Sequence, residues 1–91
     1  MTFEVLHNPA HSRFEAHVDG RLAVADYRRE GDVLVMFHTE VPPQLQGRGI
    51  AAAMVESALA HARAHGLKID PRCSYVRSYM QRHPDTLALH V

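Results

Sequence analysis

The stretch VPPQLQGRGIAAAMVESALAHARAHG, from Val41 to Gly66, decides how this chain is read. Pro42 and Pro43 carry no amide hydrogen and end the strand before them. From about Gly47 or Arg48 to His65, the apolar residues Ile50, Ala51, Met54, Val55, Ala58, Leu59 and Ala62 recur at three- and four-residue spacing. That spacing predicts an amphipathic helix with one buried stripe. Gly66 stands where a left-handed C-cap belongs. Glycine is costly inside a helix, so Gly47 and Gly49 serve at its start for their backbones. Either they permit a tight strand-to-helix corner, or they bare the first helical amides to an anion such as phosphate. On the second reading Arg48, between them, adds a charge-assisted contact.

Strands precede this helix. TFEVLHN (2–8) is short and alternating. SRFEAHV (12–18) sets Phe14, Ala16 and Val18 on one face against Arg13, Glu15 and His17 on the other. Asp19-Gly20 predicts a tight hairpin into RLAVADYRRE (21–30), and Glu30-Gly31-Asp32 a second turn. DVLVMFHTEV (32–41) is nearly continuous in apolar residues, as expected of a strand covered on both faces. After the helix, LKID (67–70) reads as a short strand ended by Pro71, and Cys73 to Arg82 as a second helix stopped by Pro84. DTLALHV (85–91) is left as a tail. The order is β-β-β-β-α-β-α, an α+β fold with helices packed on one mostly antiparallel sheet.

The 91 residues suit a single domain, 1–91. A composition of 46% apolar and 22% charged residues is globular. Ten basic residues balance ten acidic ones, which argues against a nucleic-acid partner. One cysteine leaves a free thiol and points to a reducing, cytoplasmic setting. No signal peptide is expected, and no apolar run approaches the roughly 20 residues of a membrane span. A monomer, or a dimer through an exposed sheet edge, is compatible with this size.

Two familiar phosphate motifs do not fit. A P-loop requires Gly-Lys-Ser/Thr, and the dinucleotide fingerprint requires a third glycine where Ala52 stands. Gln44-Leu45-Gln46-Gly47-Arg48-Gly49, followed by Ile50-Ala51, instead resembles the Gln/Arg-x-x-Gly-x-Gly/Ala acyl-CoA signature of the GNAT N-acetyltransferase superfamily. HTEVPPQLQGRGIAAAMV (38–55) with PRCSYVRSYMQRHP (71–84) resembles its small, minimal YjdJ-type members. The resemblance implies a minimal GNAT-like fold and acetyl-CoA-dependent transfer of an acetyl group to an amine acceptor. It implies that the backbone amides of Gln46, Gly47, Arg48, Gly49, Ile50 and Ala51 hold the pyrophosphate of coenzyme A. The strand near His38 to Val41 would splay from its neighbour and line the pantetheine arm. Larger members carry two acceptor-binding helices between their first strands, where this chain has strands and turns. An acyl-CoA-binding module or a protein-interaction domain without turnover is the alternative.

Catalytic candidates lie near that signature. Cys73 sits at the start of the second helix beside Arg72, a setting that favours the thiolate. It is suited to accept an acyl group or act as a base, and the alternative is a small core residue. The small family carries a cysteine in this Cys-Ser-Tyr context, proposed as catalytic. His38 and Glu40 share one face of their strand by alternation, and each is a candidate base or an exposed polar residue. Tyr79 stands about where larger members keep a tyrosine that protonates the leaving thiolate, or it is a core side chain with a wet tip. His61 and His65 lie one helical turn apart, a metal-gripping spacing, but on the polar side of the stripe and with no glutamate after His61. No metal site is assigned.

Overall fold

The first half of the chain runs back and forth because its turns carry residues that tolerate left-handed backbone. A computed structural model describes residues 3–91. Strands β1 (Val5–Asn8), β2 (Arg13–Val18), β3 (Arg21–Glu30) and β4 (Val33–Glu40) pair antiparallel in sequence order. Asp19 (φ 52°) and Gly20 (φ 74°) both hold positive φ between β2 and β3, the turn geometry that matches the strand twist. Helix α1 (Ile50–Ala64) then crosses over, and β5 (Lys68–Pro71) joins parallel to β4 to close a five-stranded sheet. Helix α2 (Ser74–Arg82) follows, so the β-β-β-β-α-β-α order is as read from the sequence.

Both ends of α1 have a local cause. It starts at Ile50, after the predicted onset, because Gly47 (φ 83°) and Gly49 (φ 78°) are left-handed and cannot lie inside the helix. It ends with Gly66 (φ 67°), which lets the Leu67 amide turn back to the Ala62 carbonyl at 2.9 Å. The buried stripe Ile50, Met54, Val55, Ala58, Leu59 and Ala62 packs into one core with Phe14, Ala16, Ala23, Ala25, Leu34 and Met36.

Three expectations are revised. The β4 run is covered only at Leu34, Val35 and Met36, while Phe37 and His38 are exposed. A bulge lies there, with Tyr27 opposite Met36 but Asp26 opposite His38, and β5 pairs no further than Met36. The expected tail instead forms a 3-10 segment, Pro84–Leu89. The Thr86 hydroxyl donates to the His83 carbonyl (2.7 Å) and Leu89 enters the core. His61, expected on the polar side of α1, is half-buried, its ring 4.5 Å from that of His7.

Glu15 is buried on the sheet face that the helices leave uncovered. Arg13 Nε donates to its carboxylate at 2.7 Å, Asn8 Nδ2 at 3.3 Å, and His17 Nε2 lies 3.2 Å away. The Arg13 hydrogen bond outweighs the opposing cost of burial, and with the His17 and Asn8 contacts holds the carboxyl at about 2, below its ordinary 4.5. A depressed carboxylate stabilises the fold fully above 4.5 and progressively less as pH falls toward 2. Glu15→Gln is therefore expected to flatten the stability profile in that window, as read by urea denaturation at stepped pH; an unchanged slope would remove this role. Met54→Ala, at a fully buried site, is expected to cost about 2–5 kcal/mol in the same measurement.

Candidate functional site

The corner between β4 and α1 is open. A cleft of about 270 Å³ is lined by Val41, Leu45, Gln46, Gly47, Gly49, Ile50, Ala51, Ala52 and Tyr75. Of the seven residues that the sequence proposes for cofactor binding, all but Arg48 line it. A Cβ added at Gly47 or Gly49 would meet no atom within 4 Å. Their positive φ accounts for the corner, and the space beside them accounts for the opening. The amides of Ile50, Ala51 and Ala52 lie in the first turn of α1, where no carbonyl of the helix can accept from them. The chain thus presents a concave, mostly apolar wall with main-chain donors at one end, a fitting surface for a phosphate-bearing ligand with an apolar arm.

Two side chains brace this corner. Gln46 Nε2 donates to the Val41 carbonyl at 3.1 Å, tying the loop back to the strand end. Arg48 Nη1 pairs with Asp19 at 2.9 Å, anchoring the glycine turn to the β2–β3 hairpin.

Beyond the last β4–β5 pair the two chains diverge. The Cys73 amide donates to the Met36 carbonyl at 2.8 Å, after which the chain turns into α2 while β4 continues to Glu40. In this gap Thr39 Oγ1 lies 3.5 Å from the half-buried Cys73 Sγ. Burial alone would raise the thiol. The Thr39 hydroxyl and the amides of Val76, Tyr75 and Thr39 favour the thiolate, and together they bring the group below its ordinary value. The neutral thiol makes no capping hydrogen bond to α2, so these amides act on the anion.

The remaining candidates lie apart. His38 Nε2 and Glu40 Oε1 are 3.1 Å apart and exposed, on the strand face opposite Thr39. They meet each other, not the sulfur. Tyr79 lines a separate cavity with Glu56, Arg63 and His83, and stacks on His83 at 4.1 Å. Burial, the first cause, raises its phenol above the ordinary value. Tyr75, one turn earlier, is the aromatic residue of the cleft. Its position at the second residue of α2, beside Cys73, was the signal for it. Thr39 is the residue that sequence reasoning passed over. Only its alternation with His38 and Glu40 pointed inward.

Comparison with known proteins adds four findings. A family model described as GCN5-related N-acetyl-transferase matches residues 13–89. Protein NATD1 of Gallus gallus is 32% identical over 84 residues, spanning 89% of this chain and 76% of that protein. Protein NATD1 of Homo sapiens is 32% identical over 83 residues, spanning 88% of this chain and 74% of that protein. The solution NMR structure of a GCN5-like protein from Staphylococcus aureus matches with a TM-score of 0.76, at 23% identity, over 97% of this chain and 87% of that one. That last likeness bears on the fold alone.

Thr39→Val removes the hydroxyl beside the sulfur while keeping its shape. It is expected to move the pH midpoint of Cys73 alkylation by iodoacetamide upward. An unmoved midpoint would assign the thiolate's stabilisation to the amides alone.

Proposed function

The chain belongs to the GCN5-related N-acetyltransferase family, and from that premise we propose that it moves an acetyl group from acetyl-CoA to an amine acceptor. The observation that carries this reading is the cleft at the start of α1, bordered by Val41, Gln46, Gly47, Gly49, Ile50 and Ala51. Bound acetyl-CoA supplies the activated thioester. The amides of Gln46, Gly47, Arg48, Gly49, Ile50 and Ala51 are the groups that hold its pyrophosphate, and the dipole of α1 adds to their pull. Val41 and Tyr75 border the path of the apolar arm. The Arg48 side chain braces the turn through Asp19, so its share in binding is its amide.

At the diverging edge the Thr39 amide and hydroxyl stabilise negative charge near Cys73. Cys73, held toward its thiolate, either attacks the thioester carbonyl and takes the acyl group as coenzyme A leaves as its thiolate, or takes the proton of the attacking amine. His38 and Glu40 form a second candidate base, reached from the helix-free face of the sheet. Tyr79, facing another cavity, is given no step. A lone free thiol suits a reducing, cytoplasmic setting. A second reading, a module that binds acyl-CoA without turnover, draws on the meander itself, which has no α-helix between β1 and β4 to hold an acceptor.

Gly49→Asp and Gly49→Asn test the reading together. Both residues tolerate positive φ better than most, and a Cβ at this position meets no atom within 4 Å, so both are expected to fold. Calorimetric titration with coenzyme A should show Gly49→Asp binding at least about tenfold more weakly than Gly49→Asn, through charge alone. Equal affinities would remove the phosphate assignment. In parallel, acetyl-CoA with a panel of amines should release thiol above background hydrolysis. Silence with coenzyme A still bound would favour the binding module. An acetyl adduct on Cys73, seen by mass spectrometry before amine is added, marks the covalent route.

A further inference from the structure

At the other end of α1 lies a second cavity that acetyl transfer does not use. It has a volume of about 490 Å³ and is lined by His7, Pro9, Ser12, Tyr27, Arg29, Leu34, His61 and His65. Ile50 and His61 are eleven positions apart on the helix, about 16 Å along the axis.

The polar lining is one-sided. Three histidines and an arginine line the space, together with Ser12 and Tyr27, and no acidic residue does. Among the described residues, none of His7, His61, His65 and Arg29 forms an ion pair with an acidic group. The rings are also held in place. His7 stacks on Phe14 at 4.3 Å with its Nε2 2.6 Å from the Tyr27 hydroxyl. His61 meets His7 edge-on at 4.5 Å and stacks on His65 at 4.2 Å. His65 Nδ1 donates to the His61 carbonyl at 2.9 Å, which turns its Nε2 away from its own helix backbone. Arg29 Nε is spent on the Gly31 carbonyl (2.6 Å), leaving its terminal nitrogens. No group of three or more His, Cys, Asp or Glu among the described residues is arranged to hold a metal ion. Three imidazoles and a guanidinium gathered without a carboxylate suit an anion.

We propose that this cavity binds a small molecule through an oxyanion group, held by His7, His61, His65 and Arg29. Its volume lies within the roughly 300–1,000 Å³ of small-molecule sites. Binding is coupled to proton uptake. Burial, then the charge of His65, lowers the titration of His7; burial, then His7, His65 and Arg29, lowers that of His61. Tyr27 is the remaining titratable neighbour, and β4 offers only Leu34. An imidazole depressed in the fold contributes stability that is full above the ordinary 6.5 and falls as pH drops below it. An anion in the cavity pairs with the protonated rings and offsets that loss.

Residue-resolved NMR titration of the histidines decides the matter, with inorganic phosphate or succinate against chloride at equal ionic strength. With one of the two anions, the midpoints of His7 and His61 should rise while those of the exposed His17, His38 and His90 stay. The thermal midpoint should rise more at a pH of about 6 than at about 8. Arg29→Gln, at an exposed position, should weaken binding about tenfold, and His61→Gln should abolish the proton coupling. No response to either anion, or equal shifts at all the histidines, overturns the proposal. Phosphate held on the distant cleft amides would leave His7 and His61 unmoved, so this outcome is separate from the acetyl-transfer reading.

Discussion

A single hydrogen bond, from the Cys73 amide to the Met36 carbonyl at 2.8 Å, marks where the sheet ceases to be closed. Up to Met36, β5 lies against β4 in parallel register. Past it, Pro71 has no amide to extend the ladder, and the Arg72 amide turns back to the Asp70 carbonyl at 3.0 Å. On the other strand the bulge at Phe37 and His38 shifts β4 against β3 just as β5 departs. The result is a stretch of β4 edge without a partner on that side, with the Thr39 amide directed at a sulfur. A sheet that kept pairing would bury those amides in a ladder and leave no place for a ligand.

The same gap gives α1 its direction. The chain leaving β4 must reverse, and two left-handed glycines within three residues accomplish this without a side chain in the way. Arg48, between them, points back to Asp19 and fastens the reversal to the β2–β3 hairpin. The N-terminus of α1 is thereby fixed from two directions while its amides remain accessible. The return is equally constrained. Gly66 ends the helix, and the Lys68 amide meets the Asp32 carbonyl at 2.8 Å, setting β5 in register at once.

What could be read in the sequence follows from the range of the forces involved. The α1 stripe, the Asp19-Gly20 turn, the Gly66 cap and the glycines of the corner are local patterns, and each lies where reading placed it. The cleft residues share this property, since seven of them fall between Leu45 and Ala52. The features that the sequence did not show all depend on partners far away. The bulge at Phe37 arises from register with β3, so the sequence of β4 shows only an apolar run. Arg48 is 29 residues from Asp19, and nothing local distinguishes a bracing arginine from a ligand-binding one. Tyr75 and Tyr79 are a helical turn apart, yet α2 sits so that one faces the cleft and the other a different cavity. His61 looked polar because its covering residues, His7 and Phe14, belong to the first two strands.

The two cavities at the ends of α1 share no lining residue. Between them the helix is locked to the sheet by Met54, Val55, Ala58 and Leu59, all buried. A close-packed interior of this kind resists graded deformation, so a ligand at one end reaches the other only by moving the helix as a body. Such a movement would have to break the Arg48–Asp19 pair, which joins the turn before α1 to the β2–β3 hairpin, and displace Gly66, which leads directly into β5. Coupling free energy arises when two ligands prefer different states of a shared element, and a helix pinned at both ends has one state to offer. Ligands proposed for the corner at Gly47 and Gly49 and for the imidazole-lined cavity are therefore expected to bind additively, each lost by substitution without penalty to the other.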